Sequence, residues 1–285
     1  MSAPRVSVVI PAYNEEPALS TLIEELEGAP SDYEILVVDD GSTDRTGEIL
    51  KSRGIRVIRH PYNIGYGASL KTGIRHAAGE IIAIMDADGQ HHLSDLSGLI
   101  TNLEEYEMVV GARTRESQTS PLRKPFKVIL GWVANYLSGT KIPDLNSGLR
   151  VFRKNTVKEF LPILPNGFSF STTQTLAYLT AGYPVSYLPV KTGGRQGRQS
   201  NVRIFTDGFN SVLLIIRTIA LFNPLRIFLP VAFFLLFIGG IYLVEEIIRI
   251  QRIPGGAVLT LLAGTLTFFF GILADQISLI RKLRS

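Results

Sequence analysis

Short, uninterrupted apolar runs alternate with amphipathic segments in the N-terminal part of the chain. After the first apolar run, at residues 6–10, Leu19, Ile23 and Leu26 recur at helical spacing, which predicts a helix with one buried face. Uninterrupted apolar runs are typical of strands that are buried on both faces of a parallel sheet. The predicted strands are residues 6–10, 34–38, 55–59, 80–85, 109–111 and 149–152. This alternation predicts an α/β fold with a doubly wound, mostly parallel sheet.

The C-terminal part has a different pattern, with two long runs that carry no charge. As helices, residues 227–244 and 257–274 would each span roughly 27 Å, about the thickness of the hydrocarbon core of a bilayer. The link at residues 245–256 is short and contains Pro254, so we expect an antiparallel pair of transmembrane helices. A buried hairpin in a soluble protein is the alternative, and the length of the uncharged runs disfavours it.

Residues 202–222 connect these two regions. Their apolar positions recur at helical spacing with polar residues such as Arg203 and Asp207 between them, which predicts an amphipathic helix at the membrane interface. The expected organisation is an α/β domain at residues 1–200, an interfacial helix region at 201–224 and a two-helix transmembrane hairpin at 225–285. The two spans are expected at about 227–246 and 257–277.

Composition and charge narrow the classes of partner. A net charge of +4 is too small to indicate nucleic-acid binding, and it fits a membrane surface or a phosphorylated ligand better. The absence of cysteine excludes disulfides and thiol chemistry. No signal-peptide pattern precedes the first strand, and Arg281, Lys282 and Arg284 follow the second uncharged run. We therefore expect a multi-pass membrane protein whose large domain and both termini are cytoplasmic.

The first candidate for chemistry is an acidic segment directly after the fourth predicted strand. Asp86, Asp88 and Gln90 lie there, where open α/β sheets bind their ligands. Carboxylate and amide oxygens suit a hard divalent cation that bridges phosphates. An Asp/Gly-rich turn without a ligand is the alternative. The glycine loops fit neither a dinucleotide-binding fingerprint nor a P-loop, so a Rossmann dehydrogenase and an NTPase are disfavoured.

A resemblance to a known family rests on several short segments. They are residues 11–15 (PAYNE), 38–42 (VDDGS), 63–67 (NIGYG), 86–91 (DADGQH), 111–113 (GAR), 144–150 (DLNSGLR) and 222–226 (FNPLR). In this order and spacing the chain resembles family 2 glycosyltransferases of GT-A fold, and the resemblance covers nearly the whole chain. It is closest to the polyprenyl-phosphate branch, which includes dolichyl-phosphate mannosyltransferases and bacterial polyprenyl-phosphate glucosyltransferases.

The resemblance implies a binding site for a nucleotide sugar. Asp39 or Asp40 would hold the nucleotide base, in a pocket lined by the backbone of residues 11–15. Mg²⁺ or Mn²⁺ held by Asp86, Asp88 and Gln90 would neutralise charge on the departing nucleoside diphosphate. Lys71 is a candidate phosphate ligand, or else a solvated helix lysine. The candidate ligands of the nucleotide sugar are Pro11, Ala12, Tyr13, Glu15, Asp39, Asp40, Asn63, Lys71 and Asp86.

The resemblance also implies arginines that bind the phosphate of the acceptor, a group that suits a bidentate guanidinium. Arg113 is the main candidate, whereas a salt bridge to Asp144 would give Arg150 a structural role. The basic loop at residues 191–200 resembles a segment that closes over the donor diphosphate, although its spacing differs by one residue. The catalytic candidates are Asp88, Arg113, Arg195 and Arg198, and the acceptor-phosphate candidates are Arg113, Lys127, Ser147 and Arg150.

One departure from the wider family favours a phosphate acceptor. Glycosyltransferases that attack with a sugar hydroxyl usually carry a basic carboxylate in the segment that here reads FSFSTT, residues 168–173. A lipid monophosphate needs no base, because its second pKa is roughly 6. We therefore predict an inverting glycosyltransferase that moves a hexose from GDP-mannose or UDP-glucose to polyprenyl phosphate.

Two alternatives remain open from the sequence. The chain could transfer a sugar to a hydroxyl of a lipid-linked glycan, or it could be a non-catalytic membrane scaffold that retains the fold. Metal-dependent binding of a nucleotide sugar separates the scaffold from both enzymes. The two spans are compatible with a homo-oligomer packed through its membrane helices.

Overall fold

The structure is a computed structural model that describes residues 4–113, 131, 134–136, 139–167, 169–191, 213, 216–251 and 253–284. Its strands are β1 (Val6–Ala12), β2 (Tyr33–Asp39), β3 (Arg56–Arg59), β4 (Ile81–Ile84), β5 (Met108–Arg113), β6 (Arg150–Arg153) and β7 (Val185–Val190). Its longer helices are α1 (Leu19–Glu27), α2 (Thr46–Ser52), α3 (Tyr66–His76), α4 (Leu93–Asn102), α5 (Lys154–Phe160), α6 (Phe170–Ala181), α7 (Leu225–Ile250) and α8 (Gly255–Arg284). A short 3₁₀ helix at Glu16–Ala18 precedes α1.

The strands form one seven-stranded sheet in the order β3-β2-β1-β4-β6-β5-β7. β1 pairs in parallel with β2 and β4, β2 with β3, and β5 with β7, whereas β6 runs antiparallel to both of its neighbours. The predicted doubly wound, mostly parallel sheet is therefore confirmed. The predicted strands hold to within about two residues at their ends.

Alternate residues of β1 face two apolar layers, one on each side of the sheet. Val8 and Ile10 pack with residues of α1 and α4, whereas Val9 packs with residues of α3 and α5. These strand side chains are fully buried, and burial of each contributes roughly 1.5–3 kcal/mol. The uninterrupted apolar runs are thus explained by a sheet that is covered on both faces.

Strand register gathers the candidate segments at one edge of the sheet. Ala12 at the end of β1 pairs with Asp39 at the end of β2, so the loops after both strands leave the sheet side by side. β4 ends at Ile84, which pairs with Arg150 at the start of β6. Because β6 is antiparallel, its first residue lies at the edge where the parallel strands end. The acidic segment after β4 and residues 144–149 before β6 therefore meet.

Helices α7 and α8 form the predicted C-terminal hairpin. Both are long and apolar enough to cross a membrane, and they contain the predicted spans. Gly264 of α8 packs against Leu236 of α7, and Gly271 packs against Phe228, so the helices run antiparallel. Ser278 near the end of α8 donates a hydrogen bond to the carbonyl of Leu221, at 2.9 Å. Both ends of the hairpin therefore lie on the same side, next to the segment that leads into α7.

The predicted interfacial helix region at residues 201–224 lies largely outside the described residues. Its final part, residues 216–222, is helical, and Ile219 and Phe222 are buried there. Phe222 packs in the same apolar layer as Phe160 of α5, with ring centroids 6.1 Å apart. This contact joins the end of the region to the α/β domain.

Candidate active site

The acidic segment after β4 forms the centre of the candidate site. Asp88 is buried and its Oδ1 accepts a hydrogen bond from the backbone N–H of Gln90, at 3.2 Å. Asp86 is half-buried, and its Oδ1 accepts a hydrogen bond from the Tyr66 hydroxyl at 2.8 Å. Burial and the neighbouring Asp86 charge hold the pKa of Tyr66 well above its usual range, so this hydroxyl remains a donor. Tyr66 thus fixes the orientation of Asp86.

Gly148 closes the other side of Asp86. A Cβ atom at this position would lie 2.0 Å from Asp86 Oδ2, well inside contact distance. The turn before β6 can approach the carboxylate this closely only without a side chain. The closeness of Asp86, and not only the conformation of the turn, therefore requires glycine at position 148.

The donor atoms at this centre fit a hard divalent cation. Asp86 and Asp88 offer carboxylate oxygens and Gln90 offers an amide oxygen, the ligands that Mg²⁺ and Mn²⁺ prefer. In the described part of the chain no three His, Cys, Asp or Glu side chains form a metal-binding group. These residues would thus supply part of a coordination shell and leave other positions to water and phosphate oxygens, as is usual for Mg²⁺.

Arg113 and Asp144 form a bidentate ion pair beside the acidic centre. Arg113 Nε donates to Asp144 Oδ2 at 2.7 Å, and Nη2 donates to Oδ1 at 3.0 Å. Hydrogen bonding to Asp144 raises the pKa of Arg113 against the effect of burial. Burial alone would raise the pKa of Asp144, but the hydrogen bonds and charge of Arg113, together with the Asn146 N–H, outweigh it and lower that pKa. The proposed alternative of an Arg150–Asp144 salt bridge is wrong, because Asp144 binds Arg113 instead.

Arg150 is completely buried beneath the site and does not face solvent. Its Nε donates to the Ser147 carbonyl at 3.2 Å, and Nη1 donates to the Ser171 carbonyl at 2.9 Å and to Gln174 Oε1 at 3.2 Å. Burial lowers the pKa of Arg150. These contacts connect β6 to the N-terminal half of α6. Arg150 therefore has a structural role in the interior of the domain.

Ser147, another acceptor-phosphate candidate, is also fully buried. Its hydroxyl donates to the Gly111 carbonyl at 2.6 Å. This bond fastens the turn before β6 to the end of β5. As described, neither Ser147 nor Arg150 reaches the surface of the site, whereas about a third of the Arg113 side chain does.

The loop after β1 is connected to the loop after β2 by hydrogen bonds. Asn14 adopts a positive φ of 54°, and its Oδ1 accepts a hydrogen bond from the Thr43 N–H at 2.8 Å. The Asn14 N–H donates to Ser42 Oγ, and the Glu15 N–H donates to Thr46 Oγ1, both at 3.0 Å. Pro11 and Ala12 are buried in β1, and Tyr13 and Glu15 are half-buried. The predicted pocket-lining residues therefore lie at the end of β1 and in the loop after it, which is hydrogen-bonded to the loop after β2.

Asp39 and Asp40, predicted to hold the base, are both buried. Asp40 accepts hydrogen bonds from the N–H groups of Ile64 and Gly65, at 3.0 and 2.8 Å, and contacts His60 Nδ1 at 2.7 Å. Asp40 thereby orders the loop that precedes α3. Asp39 Oδ1 accepts a hydrogen bond from the Ser42 N–H at 2.9 Å, and Oδ2 forms an ion pair with Arg59 Nε at 3.4 Å. Both carboxylates are therefore engaged by groups of the protein.

The two remaining nucleotide-sugar candidates lie around α3. Asn63 is exposed in the loop before the helix. Lys71 Nζ donates to Asn166 Oδ1 at 2.9 Å, and burial lowers the pKa of Lys71. Lys71 therefore contacts the loop after α5 and is not joined to the acidic centre. Lys127, Arg195 and Arg198 lie outside the described residues.

His91 is a buried residue of the site to which the sequence assigned no role. Its Nδ1 accepts or donates no hydrogen bond among the described residues, and burial lowers its pKa while the Asp88 charge opposes that shift. The charges of Arg113 and Asp144 also act on it. The role of Tyr66 was missed as well, although the residue lies in the NIGYG segment at residues 63–67, because only its contact with Asp86 reveals that role.

The sheet and the position of its acidic centre define a GT-A glycosyltransferase fold. A solved structure of this fold is glucosyl-3-phosphoglycerate synthase from Mycobacterium tuberculosis in complex with Mn²⁺, UDP-glucose and phosphoglyceric acid. It matches with a TM-score of 0.60 at 18% identity, over 76% of this chain and 80% of that chain. The chain belongs to glycosyl transferase family 2, whose family model matches residues 7–161. The family resemblance predicted from the motifs is thereby confirmed.

A second model, the GtrB C-terminal hairpin, matches residues 223–280. An uncharacterised protein of Methanocaldococcus jannaschii is 34% identical over 66% of this chain and 81% of its own length. The undecaprenyl-phosphate 4-deoxy-4-formamido-L-arabinose transferase of Edwardsiella ictaluri is 31% identical over 59% of this chain. The dodecaprenyl-phosphate galacturonate synthase of Rhizobium johnstonii is 33% identical over 54% of it. The matches span 58% and 49% of the lengths of these two enzymes.

Proposed function

We propose that this protein transfers a sugar from a nucleotide sugar to a polyprenyl phosphate at the membrane surface. The observation that carries the proposal is that one turn, residues 144–149, contacts both the acidic centre and Arg113: Gly148 lies against Asp86, and Asp144 pairs with Arg113 at 2.7 Å. At this edge of the sheet, the carboxylates could bind the metal ion of a metal-bound diphosphate, and the Arg113 guanidinium beside them could bind an acceptor phosphate. The names of the Edwardsiella and Rhizobium relatives, which include polyprenyl phosphates, support the same acceptor class.

In this proposal the chain positions two phosphorylated substrates. Asp86, Asp88 and the Gln90 amide would hold the divalent cation, and Tyr66 keeps Asp86 in place. A bound Mg²⁺ or Mn²⁺ supplies a Lewis acid that neutralises charge on the departing nucleoside diphosphate. Arg113 orients the acceptor phosphate through charge-assisted hydrogen bonds. One phosphate oxygen then attacks the anomeric carbon, the bond from that carbon to the diphosphate oxygen breaks, and the configuration inverts.

The chemistry of the acceptor explains why no base is needed. A lipid monophosphate with a second pKa of roughly 6 is largely dianionic near neutral pH and has no proton to lose. A hydroxyl acceptor would need a carboxylate base within hydrogen-bond reach. Residues 169–173 at the start of α6 carry hydroxyl and aromatic side chains only. The proposal therefore places a phosphate, and not an alcohol, opposite the anomeric carbon.

The C-terminal hairpin brings the domain to its lipid substrate. We propose that α7 and α8 span the membrane and that the α/β domain and both termini are cytoplasmic. The hairpin returns to the domain, because Ser278 contacts Leu221. A domain anchored in this way works at the depth of lipid headgroups, where the phosphate of a polyprenyl chain lies.

The test is a transfer assay with purified protein in liposomes that contain undecaprenyl phosphate. Radiolabelled UDP-glucose and GDP-mannose are supplied in parallel, with and without EDTA. UDP-galacturonate joins the panel because the name of the Rhizobium relative includes that sugar. Label that enters the lipid phase from one donor, and does not in EDTA, is the expected result. If the protein binds the donors but forms no lipid product from any of the three, transfer from these donors to undecaprenyl phosphate is refuted.

A further inference from the structure

The Asp144 carboxylate is saturated by hydrogen bonds, and most of them come from one residue. Oδ2 accepts from the backbone N–H of Arg113 at 3.3 Å and from its Nε at 2.7 Å. Oδ1 accepts from Arg113 Nη2 at 3.0 Å and from the Asn146 N–H at 3.1 Å. Only 11% of the Asp144 side chain is exposed. Asp144 is therefore held in one rotamer and holds one edge of the Arg113 guanidinium in turn.

This ion pair is not required to attach the turn before β6 to β5. The Gly111 N–H already donates to the Leu149 carbonyl at 2.9 Å, and Ser147 Oγ donates to the Gly111 carbonyl at 2.6 Å. These bonds fix the strand register without any charge. What the ion pair alone determines is the direction of the Arg113 guanidinium.

That direction matters because the turn that contains Asp144 also reaches the acidic centre, where a Cβ at Gly148 would lie 2.0 Å from Asp86 Oδ2. The charges of Asp86 and Asp88 act on Arg113 in addition to that of Asp144. Among the described residues, only Asp144 accepts hydrogen bonds from the Arg113 side chain, and Nη1 donates to none of them. A guanidinium released from Asp144 would be drawn to the remaining carboxylates. It would then compete with a divalent cation for their oxygens.

We propose that Asp144 is a positioning residue that holds Arg113 away from Asp86 and Asp88. Two consequences follow from this one contact. Arg113 does not take up the oxygens of Asp86 and Asp88 that a divalent cation would use, and its Nη1 side is turned to the position proposed for an acceptor phosphate. The second consequence rests on the proposed function, whereas the first follows from the contacts of Arg113 itself.

The experiment measures Mn²⁺ binding directly, with and without Arg113. The proteins are wild type, Asp144→Asn, Arg113→Ala and the double variant, titrated with Mn²⁺ alone and with Mn²⁺ plus UDP or GDP. Free Mn²⁺ is followed by electron paramagnetic resonance. Asp144→Asn is expected to weaken Mn²⁺ binding roughly tenfold, the usual effect of losing a residue that orients a metal site. The double variant is expected to bind Mn²⁺ as tightly as Arg113→Ala does.

Rescue by Arg113→Ala is the decisive readout, since a merely structural role of Asp144 would not be rescued. Unchanged Mn²⁺ affinity in Asp144→Asn, or an equal loss with and without Arg113, would overturn the proposal. If Asp144→Asn does not fold, Asp144→Glu replaces it, because the longer side chain also shifts Arg113 while keeping the charge. Its weakened binding must likewise disappear when Arg113 is removed.

Glu107→Gln is the matched control. Glu107 pairs with Arg153 at 3.5 Å at the opposite end of β5 and β6, so this variant removes a carboxylate from the same two strands. Its Mn²⁺ binding should equal that of wild type. In the liposome assay, Asp144→Asn should also raise KM for undecaprenyl phosphate several-fold. If Mn²⁺ binding changes as expected but wild-type protein forms no lipid product, the proposed function is refuted and the positioning role of Asp144 is not.

Discussion

At the scale of single residues, the site depends on contacts between segments that are distant in sequence. Tyr66 from α3 and Gly148 from the turn before β6 both fix the carboxylate of Asp86. Asp144 does the same for Arg113. Each contact restrains a charged group before any substrate arrives, and such preorganisation is what a transfer site requires.

Gly148→Ala should impair transfer without unfolding the protein. The added Cβ would lie 2.0 Å from Asp86 Oδ2, so the carboxylate must move. A displacement of about 1 Å at a reacting centre can cost roughly a hundredfold in rate, and we expect a loss of that order in kcat. Gly98→Ala on α4 is the control, because its Cβ would meet nothing within 4 Å. Wild-type kcat in Gly148→Ala would contradict the role given to Asp86.

The Arg113–Asp144 pair should stabilise the protein in a pH-dependent way. The pKa of Asp144 is lowered from 3.8 in the folded state, so the folded state binds fewer protons than the unfolded chain near that pH. The stabilisation, about 1 kcal/mol for such a partly exposed pair, is present above this value. It is lost as the pH falls through the lowered pKa.

Urea unfolding of wild type and Asp144→Asn in detergent, from pH 7 to below pH 3, measures this effect. The difference in unfolding free energy between the two proteins should be largest above about pH 4 and should close at more acid pH. A difference that is constant over the whole range would show that the charge of Asp144 contributes nothing.

The sequence leads to candidate residues that lie within a local motif, and it does not reveal the contacts that join distant segments. Asp86 and Asp88 follow a strand directly, so position alone indicated them. The partner of Asp144 could not be predicted, because Arg113 and Arg150 are both cations at the ends of neighbouring strands. Burial decides between them: Arg150 is enclosed under α6, and Arg113 is left to pair with Asp144.

At the scale of elements, the order of strands and helices was predictable and the direction of β6 was not. Apolar runs reveal that a strand is buried, but they do not encode its orientation. The antiparallel β6 brings its first residue to the edge where β4 ends. Because β6 runs in the opposite direction, residues 144–149 lie next to the acidic centre. The strand whose direction could not be predicted thus positions part of the candidate site.

Close packing of the C-terminal helices can be tested at Gly264. A Cβ there would lie 2.9 Å from Leu236 Cγ, so Gly264→Leu should overpack the contact at a cost of about 1–3 kcal/mol. Gly240→Leu is the control, since its Cβ would have open space. Unfolding in mixed detergent micelles should show a lower midpoint for Gly264→Leu only. Equal midpoints would contradict the antiparallel pairing.

At the scale of the whole molecule, the candidate site and the hairpin belong to one arrangement. The hairpin begins just after Phe222, which is packed into the α/β domain, and it returns to Leu221 through Ser278. In the proposed membrane arrangement, the candidate site therefore stays at a fixed distance from the bilayer. This arrangement predicts that the connection between α7 and α8 emerges on the far side of the membrane.

Topology can be measured with single cysteines, because the chain contains none. Ile253→Cys places a thiol in the exposed connection between α7 and α8, and Lys51→Cys places one on exposed α2. In intact cells a membrane-impermeant maleimide should label position 253 and should reach position 51 only after permeabilisation. The reverse pattern would refute a cytoplasmic domain.

The central claim is that the nucleophile is a phosphate, and the most direct measurement compares two acceptors that differ only in that group. Undecaprenyl phosphate and undecaprenol are supplied in matched liposomes with the donor that the panel identifies. Wild-type protein should glycosylate the phosphate and leave the alcohol unchanged, and Asp88→Asn should lose the reaction while still inserting into the membrane. Sugar transferred to undecaprenol at a comparable rate would contradict the account.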